Sequence, residues 1–309
     1  YKYPQRAYPY DDIVATNKKR TRHDPEYELI DTQVFDDGRY FDVFVEYAKA
    51  APEDLLIRLT IHNRGGQSAA LHLLPTLWYR NTWSSEPGGV KPTMTVFDDA
   101  AHPTIRAAHP TLGDYYLRCE GADQLLFTEN ETNTERIFGR PNTSPYVKDG
   151  INNHVVHRQT AATNSKQRGT KAAAHYVLTL PAQGSTVVRL RLSKNEPLHA
   201  PDKASFDGRS FVEVVERRRQ EADAVNSTVI PQGASADEAN VMRQALAGML
   251  WSKQHYIYDV YSWIRAGGDS NERLRNTAWV NLSSSDIISM PDKCEYPWFA
   301  AWDLAFQAI

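Results

Sequence analysis

Cysteine is nearly missing from this chain: Cys119 and Cys294 are the only two among 309 residues. Far apart and without Cys-x-x-Cys or Cys/His spacing, they indicate neither a disulfide framework nor a zinc site, and a reducing, cytoplasmic setting is the expectation. No apolar run approaches the length of a membrane span, so no membrane partner is expected. The opening Tyr1-Lys2-Tyr3-Pro4 carries no Met and no signal-like apolar segment. A charge excess is missing too. Lys+Arg at 35 against Asp+Glu at 38 leaves a formal charge of -3, which supplies no electrostatic reason to expect a nucleic acid partner. There is no Gly-rich phosphate loop, no Gly-x-Ser-x-Gly elbow and no His-Glu-x-x-His. His23, His62, His72, His154, His175 and His255 stand singly, none at metal-ligand spacing, and read as structural histidines. No cofactor and no metal are expected. Four Asn-x-Ser/Thr triplets, starting at Asn130, Asn142, Asn226 and Asn281, leave secretion open without supporting it.

What the chain does have is flat, amphipathic side chains: 7 Trp and 16 Tyr, within an aromatic content of 11%. Most of these fill cores, but such rings also suit the faces of sugars. From about Tyr27 to Ser193 the pattern is β. Residues 40–47 alternate, residues 55–61 run Leu-Leu-Ile-Arg-Leu-Thr-Ile, and residues 69–78 continue as one strand-like stretch. Asp36-Asp37-Gly38, Asn63-Arg64-Gly65-Gly66 and Pro87-Gly88-Gly89 are turn clusters between them. Further strands are predicted at 103–108, 114–119, 125–128, 175–180 and 186–192. Many short strands without long helices between them predict a sandwich. The polar stretch from Asn130 to Lys171 is too long for a hairpin loop and too broken for a strand until about His154. Its Tyr146, Lys148, Asp149 and His154 are candidates for reaching a neighbouring domain, and a surface loop without a role is the equal alternative.

After Pro201 the period changes. Residues 211–224 read as a charged helix, with Phe211, Val212, Val214 and Val215 ahead of a solvated run of Glu and Arg. Ser235-Ala236-Asp237-Glu238 forms a capping box, and the apolar spacing of Met242, Ala245, Leu246, Met249 and Leu250 predicts a long helix running on through Trp251, Tyr258 and Trp263 to Gly267-Gly268. A second helix opens at Ala301 and meets no stop signal before Ile309, so a fragment is expected.

The chemistry is therefore carboxylate-based by elimination. Asp303 sits among Trp298, Phe299, Trp302 and Phe306, with Glu295 and Tyr296 just before them. Apolar walls raise an acid's pKa by desolvation and ring faces stack on sugars, which is the setting of a glycosidase general acid. An aromatic helix start packed in a core remains the alternative on local composition. Glycoside hydrolysis needs two carboxyl groups, one protonated and one ionised.

The seventeen residues from Met290 to Phe306 resemble glycoside hydrolase family 63, the processing α-glucosidase-like proteins, as do Trp251-Ser252-Lys253-Gln254 and Tyr258-Asp259-Val260. Upstream, Tyr40-Phe41-Asp42-Val43, the run from Leu73 to Trp83, and Ser144 to Asp149 resemble the same group. Membership would imply an N-terminal β-supersandwich (residues 1–200), a helical linker (201–233) and the first helices of an (α/α)6 toroid (234–309), a multi-domain β then α order. It would make Asp303 the general acid and place the base on a later helix outside this sequence; Trp298, Phe299, Trp302 and Phe306 are the expected pocket walls, half of them facing the core at helical spacing. Cys294 stands where the family pattern has Trp, and Gln307 where it has His.

The function expected is an inverting exo-α-glycosidase, an α-glucosidase acting on an oligosaccharide substrate, with this chain alone inactive. Two alternatives stand beside it: a non-catalytic carbohydrate-binding or interaction module built on the β domain, and a related hydrolase of trehalose-like or glycerate-linked sugars.

Overall fold

The computed structural model describes residues 1–84, 89–99, 101–194, 208–266 and 278–290, the backbone alone at 208, 209 and 266. They fall into two compact units, residues 1–218 and 219–309. In the first unit the strands are β1 (Lys2–Pro4), β2 (Tyr40–Ala51), β3 (Asp54–Asn63), β4 (Ala69–Leu73), β5 (Thr76–Trp78), β6 (Thr93–Phe97), β7 (Thr104–His109), β8 (Gly113–Cys119), β9 (Gln124–Thr128), β10 (Arg168–Gly169), β11 (Lys171–Leu180) and β12 (Ser185–Ser193). Helices α1 (Tyr10–Asn17), α2 (Thr134–Phe138) and α3 (Gly150–Val156) interrupt them, and α4 (Gly208–Val229) follows.

Eight strands make one sheet in the order β1-β2-β3-β12-β8-β7-β6-β10, and β11 organises a second one with β4, β5 and β9. Each of these pairings is antiparallel. Alternation decides which side chains meet between the sheets. Phe41, Val43, Leu59, Ile61, Met94, Ile105, Leu117 and Leu190 face inward from the large sheet and meet Leu73, Leu125, Phe127, Ala172, Ala174 and Tyr176 of the small one in a single buried cluster. This unit is a β-sandwich, and Cys119 is a buried free thiol inside it, pushed up to about 12 by that burial.

The sandwich is closed by its last strand. β12 inserts between β3 and β8, with Val188 opposite Leu59 and Leu192 opposite Leu117. There Arg191 donates two hydrogen bonds to Asp54, at 2.8 and 2.7 Å, a bidentate pair across the β3–β12 ladder. On the outer face of the large sheet, Ala48 and Leu56 are covered by Phe211 and Val215 of α4, residues one helical turn apart.

Several sequence expectations change here. The stretch 69–78 is two strands, because Pro75 has no N–H for a ladder; its carbonyl accepts from the Ala174 N–H, and β11 pairs with β4 on one side of the break and β5 on the other. Around His154 the chain is helical rather than strand-like, since α3 spans Gly150–Val156. β6, β10 and α1 were not anticipated.

In the second unit, α5 (Ala236–Trp251) begins at the predicted capping box: the Glu238 N–H donates to Ser235 Oγ, and the Ser235 N–H donates to the Glu238 carboxylate at 2.8 Å. The helix does not run on to Trp263. It stops at Trp251, and β13 (Lys253–Asp259) pairs with β14 (Ser283–Ser289), followed in sequence after β13 by α6 (Val260–Ala266). Tyr256, Ile257 and Tyr258 are bulky and β-favouring, and the burial of β13 alternates residue by residue, so period two wins over the helical spacing that its aromatics also satisfy. The first unit is a sheet domain and the described part of the second carries helices with a two-stranded antiparallel sheet; an α/α toroid is not established by these elements.

Candidate functional site

Asp303, Trp298, Phe299, Trp302 and Phe306, and with them Glu295 and Cys294, lie outside the described residues. Within the described residues, the structure draws together two of the upstream segments that carry the family resemblance, 73–83 and 144–149. The meeting point is the end of β9. Glu129 and Glu131 follow Thr128 at alternate positions, and Lys91 Nζ lies 3.1 Å from the first carboxylate and 2.8 Å from the second. Trp83 Nε1 donates to Glu131 Oε1 at 3.1 Å and Thr143 Oγ1 donates to its other oxygen at 2.7 Å. Thr170 Oγ1 donates to Glu129 at 2.8 Å.

Backbone bonds knit the same place. The Glu129 N–H donates to the Tyr146 carbonyl, the Lys148 N–H to the Glu131 carbonyl, and Asn130 Nδ2 to the Tyr79 carbonyl at 2.8 Å. The polar excursion 130–171 is thus an ordered flap tied to Tyr79, Trp83 and Lys91. Tyr146 and Lys148 bond Glu129 and Glu131, and Asp149 braces the flap from within: both of its oxygens accept from Asn133 Nδ2, and it pairs with Arg136 at 3.5 Å.

The electrostatics limit what this niche can do. Burial pushes the Glu131 carboxyl up, but hydrogen bonds from Lys91, Thr143 and Trp83, with the Lys91 charge, outweigh burial and hold it below the usual carboxylate range. Burial likewise pulls Lys91 down, and its bonds to Glu131 and Glu129 overcome that and raise it. A carboxylate kept ionised at neutral pH donates no proton, so Glu131 is a holder of charge and geometry rather than a general acid. Nearby, burial and the Asp114 charge push the Tyr79 phenol up to about 12, leaving it a neutral hydroxyl.

A second feature is a groove of about 590 Å³ between the two sheets. Its interior is aliphatic, with Leu55, Leu71 and Leu192 among its walls, and Tyr1, Tyr3, Tyr47 and Trp78, all exposed, stand among its lining residues. A third is a histidine pair that single-residue reading missed: His72 Nδ1 lies 2.8 Å from His175 Nε2, although the two are 103 positions apart. Only the pairing of β4 with β11 could reveal it. Among the described residues no group of three or more His, Cys, Asp or Glu side chains is placed to hold a metal ion, and no helix is long and apolar enough to cross a membrane.

No family model matches the chain. An uncharacterised protein of Saccharomyces cerevisiae is 34% identical over 355 aligned positions, covering 100% of this chain and 32% of the yeast protein. The chain therefore spans about a third of the length of the curated relative it matches. Among solved structures, a polysaccharide lyase aligns with a TM-score of 0.31 and 11% identity over 50% of this chain and 20% of its own. A human-microbiome protein named as a kojibiose phosphorylase aligns with a TM-score of 0.26 and 10% identity, over 74% of this chain and 23% of its own.

Proposed function

We propose that this chain is part of a carbohydrate-active enzyme, an inverting exo-α-glycosidase that releases glucose from oligosaccharides. The observation that carries the reading is the run Met290 to Phe306, in which Asp303 stands among Trp298, Phe299, Trp302 and Phe306 in the pattern of glycoside hydrolase family 63. In this reading Asp303, desolvated by Trp302 and Phe306, keeps its proton at neutral pH and gives it to the leaving oxygen, while a second carboxylate activates water on the opposite face of the sugar. Trp298, Phe299, Trp302 and Phe306 wall the pocket. No metal or cofactor is needed, since an oxocarbenium-like transition state is served by the two carboxyls. Residues 1–200 form the sheet domain, 201–233 the linker and 234–309 the opening of the catalytic domain. The ordered Glu131 niche supports the reading by giving the resembling segments 73–83 and 144–149 a shared structural task on the sheet domain.

The test is Asp303→Asn in the longer protein that contains this chain. Turnover on an α-glucoside with a poor leaving group is expected to fall at least a hundredfold, which corresponds to about 2.7 kcal/mol of barrier. Urea stability should be unchanged. Near-normal turnover on that substrate removes Asp303 from the role. The 309-residue chain alone is expected to be inert, lacking the opposing carboxylate; hydrolysis by a monodisperse preparation would place the base within this sequence, with Glu295 the first position to substitute.

A second reading is favoured by one observation, the groove flanked by Tyr1, Tyr3, Tyr47 and Trp78. Exposed rings at the edge of a sandwich groove are the means by which a non-catalytic module would hold a glycan. Titrating glucose oligosaccharides against the chain while following Trp fluorescence distinguishes the two: saturable binding lost in Trp78→Ala supports a module.

A further inference from the structure

The small sheet has an outer face as well as a core face, and α3 lies on it. Leu126 of β9 and Ala173 of β11 are buried there against Ile151, with Val155 and Leu74 packed around them. His175 follows Ala173 on the same side of β11 by the two-residue period, and it is buried, 8% exposed. His72, exposed on β4, stacks on it with ring centroids 5.1 Å apart and planes 28° from parallel. α3 contributes His154, whose Nδ1 contacts Thr163 Oγ1 at 2.8 Å and so ties the helix to the chain that follows it. The turn before β9 contributes Asp123, whose carboxylate accepts from the Val177 N–H at 2.7 Å and whose own N–H donates to the His175 carbonyl. The titratable groups around His175 are thus His72 from β4, His154 from α3 and Asp123 from that turn.

The contact between the two rings has room for one hydrogen. At 2.8 Å, one facing nitrogen donates and the other accepts. One extra proton can be accommodated, because a single imidazolium still donates to a neutral partner ring. With both rings protonated each facing nitrogen carries a hydrogen, the acceptor is gone, and two cations lie against each other beside a third histidine.

We propose that the His72–His175 contact is an acid-sensitive latch for α3: with one shared proton the rings hold together and the helix stays seated on the small sheet, and a second proton parts them and frees the helix. The electrostatics agree with this geometry. Burial pushes His175 below the ordinary imidazole value, His72 and His154 push it further, and Asp123 opposes them. A group whose native pKa is lowered in this way contributes stability in full above the unfolded value of about 6.5, and that stability is lost as pH falls through the native value. The latch is therefore closed at neutral pH and opens as pH falls below the ordinary imidazole range.

Hydrogen–deuterium exchange of the 309-residue chain between pH 7.5 and pH 5, normalised to intrinsic exchange rates at each pH, tests this. Peptides covering Gly150–Val156 are expected to lose protection at least tenfold over that range, while peptides from β3 change less than twofold. His72→Gln keeps an amide donor for His175 and takes no proton, and at an exposed position it leaves the fold intact; it should cut the acid response of α3 to less than threefold. Unchanged protection in α3, loosening in step with β3, or a His72→Gln variant that responds like the parent would each overturn the proposal.

Discussion

Replacing Glu131 by Ala tests whether the niche at the end of β9 holds the flap to the sheet domain. The Glu131 side chain is 13% exposed and accepts from Lys91, Trp83 and Thr143. Hydrogen bonds to a charged group contribute about 1.5–3 kcal/mol each when shielded from water. The three donors do not count equally. Thr143 is exposed and turns to solvent, and Lys91, 40% exposed, keeps Glu129 at 3.1 Å and recovers most of its loss as surface pairs do. The half-buried Trp83 N–H has no comparable recourse, so the loss comes to about 2–3 kcal/mol. For a unit of this size that shifts the melting temperature by roughly 4–12 °C. Glu131→Gln keeps one acceptor oxygen and should lose about half as much.

The pH dependence gives the sharper test. Because the native carboxyl is held below its ordinary value, its stabilisation is fully present above the unfolded pKa of about 4.3 and is lost as pH falls through the native one. Urea melts of the parent and Glu131→Gln should therefore differ by a constant amount from pH 8 to about pH 5 and converge as pH falls further, below the unfolded value. A gap under about 0.5 kcal/mol at pH 7, or a gap that persists undiminished in acid, refutes the assignment of Glu131 as an ionised anchor.

The remaining predictions are briefer. Gly169→Ala would press a Cβ onto the Thr128 backbone, against its carbonyl oxygen and 2.7 Å from the carbonyl carbon, so β10 must shift; a loss of about 1–3 kcal/mol in urea melts is expected, and an unperturbed variant would refute the close approach. α5 buries no side chain and leaves Leu250 and Trp251 exposed, so the chain is expected to self-associate at micromolar concentration in sedimentation velocity, with Leu250→Glu/Trp251→Glu shifting it toward monomer.

Much of the sheet domain was legible because alternation is a local signal. Residues 40–47 and 55–61 are predicted as strands and lie within β2 and β3, each pointing its even-spaced apolar set into one core. Punctuation was legible where its chemistry is local, as in the Ser235–Glu238 box. Illegible elements share a cause. β10 has two residues, too few to carry a period, and exists because β6 supplies partners for Arg168 and Gly169. β13 carries aromatic residues at positions that satisfy a helix as well as a strand, and the choice falls to its pairing with β14, more than twenty residues away.

The candidate site divides along the same line. Asp303 and its rings stand together in sequence, so a motif could nominate them from composition and spacing. Glu129, Glu131, Lys91, Trp83 and Thr143 could not be nominated together that way, since no window of sequence holds them. What joins them is β11. It pairs with β5 through Lys171–Ala173 on one edge and with β9 through Lys171–His175 on the other, so the chain leaving β5 toward Trp83 and the chain leaving β9 toward Glu131 emerge side by side. The same strand carries His175 beneath His72 by pairing with β4 farther along. One central strand thus creates both long-range clusters, and a substitution that breaks β11, such as Ala173→Pro, should abolish the Glu131 niche and the histidine contact together. Removing the Ala173 N–H from a strand paired on both edges costs ~3 kcal/mol or more. Retention of α3 exchange protection in such a variant would show that the flap is held by something other than this strand.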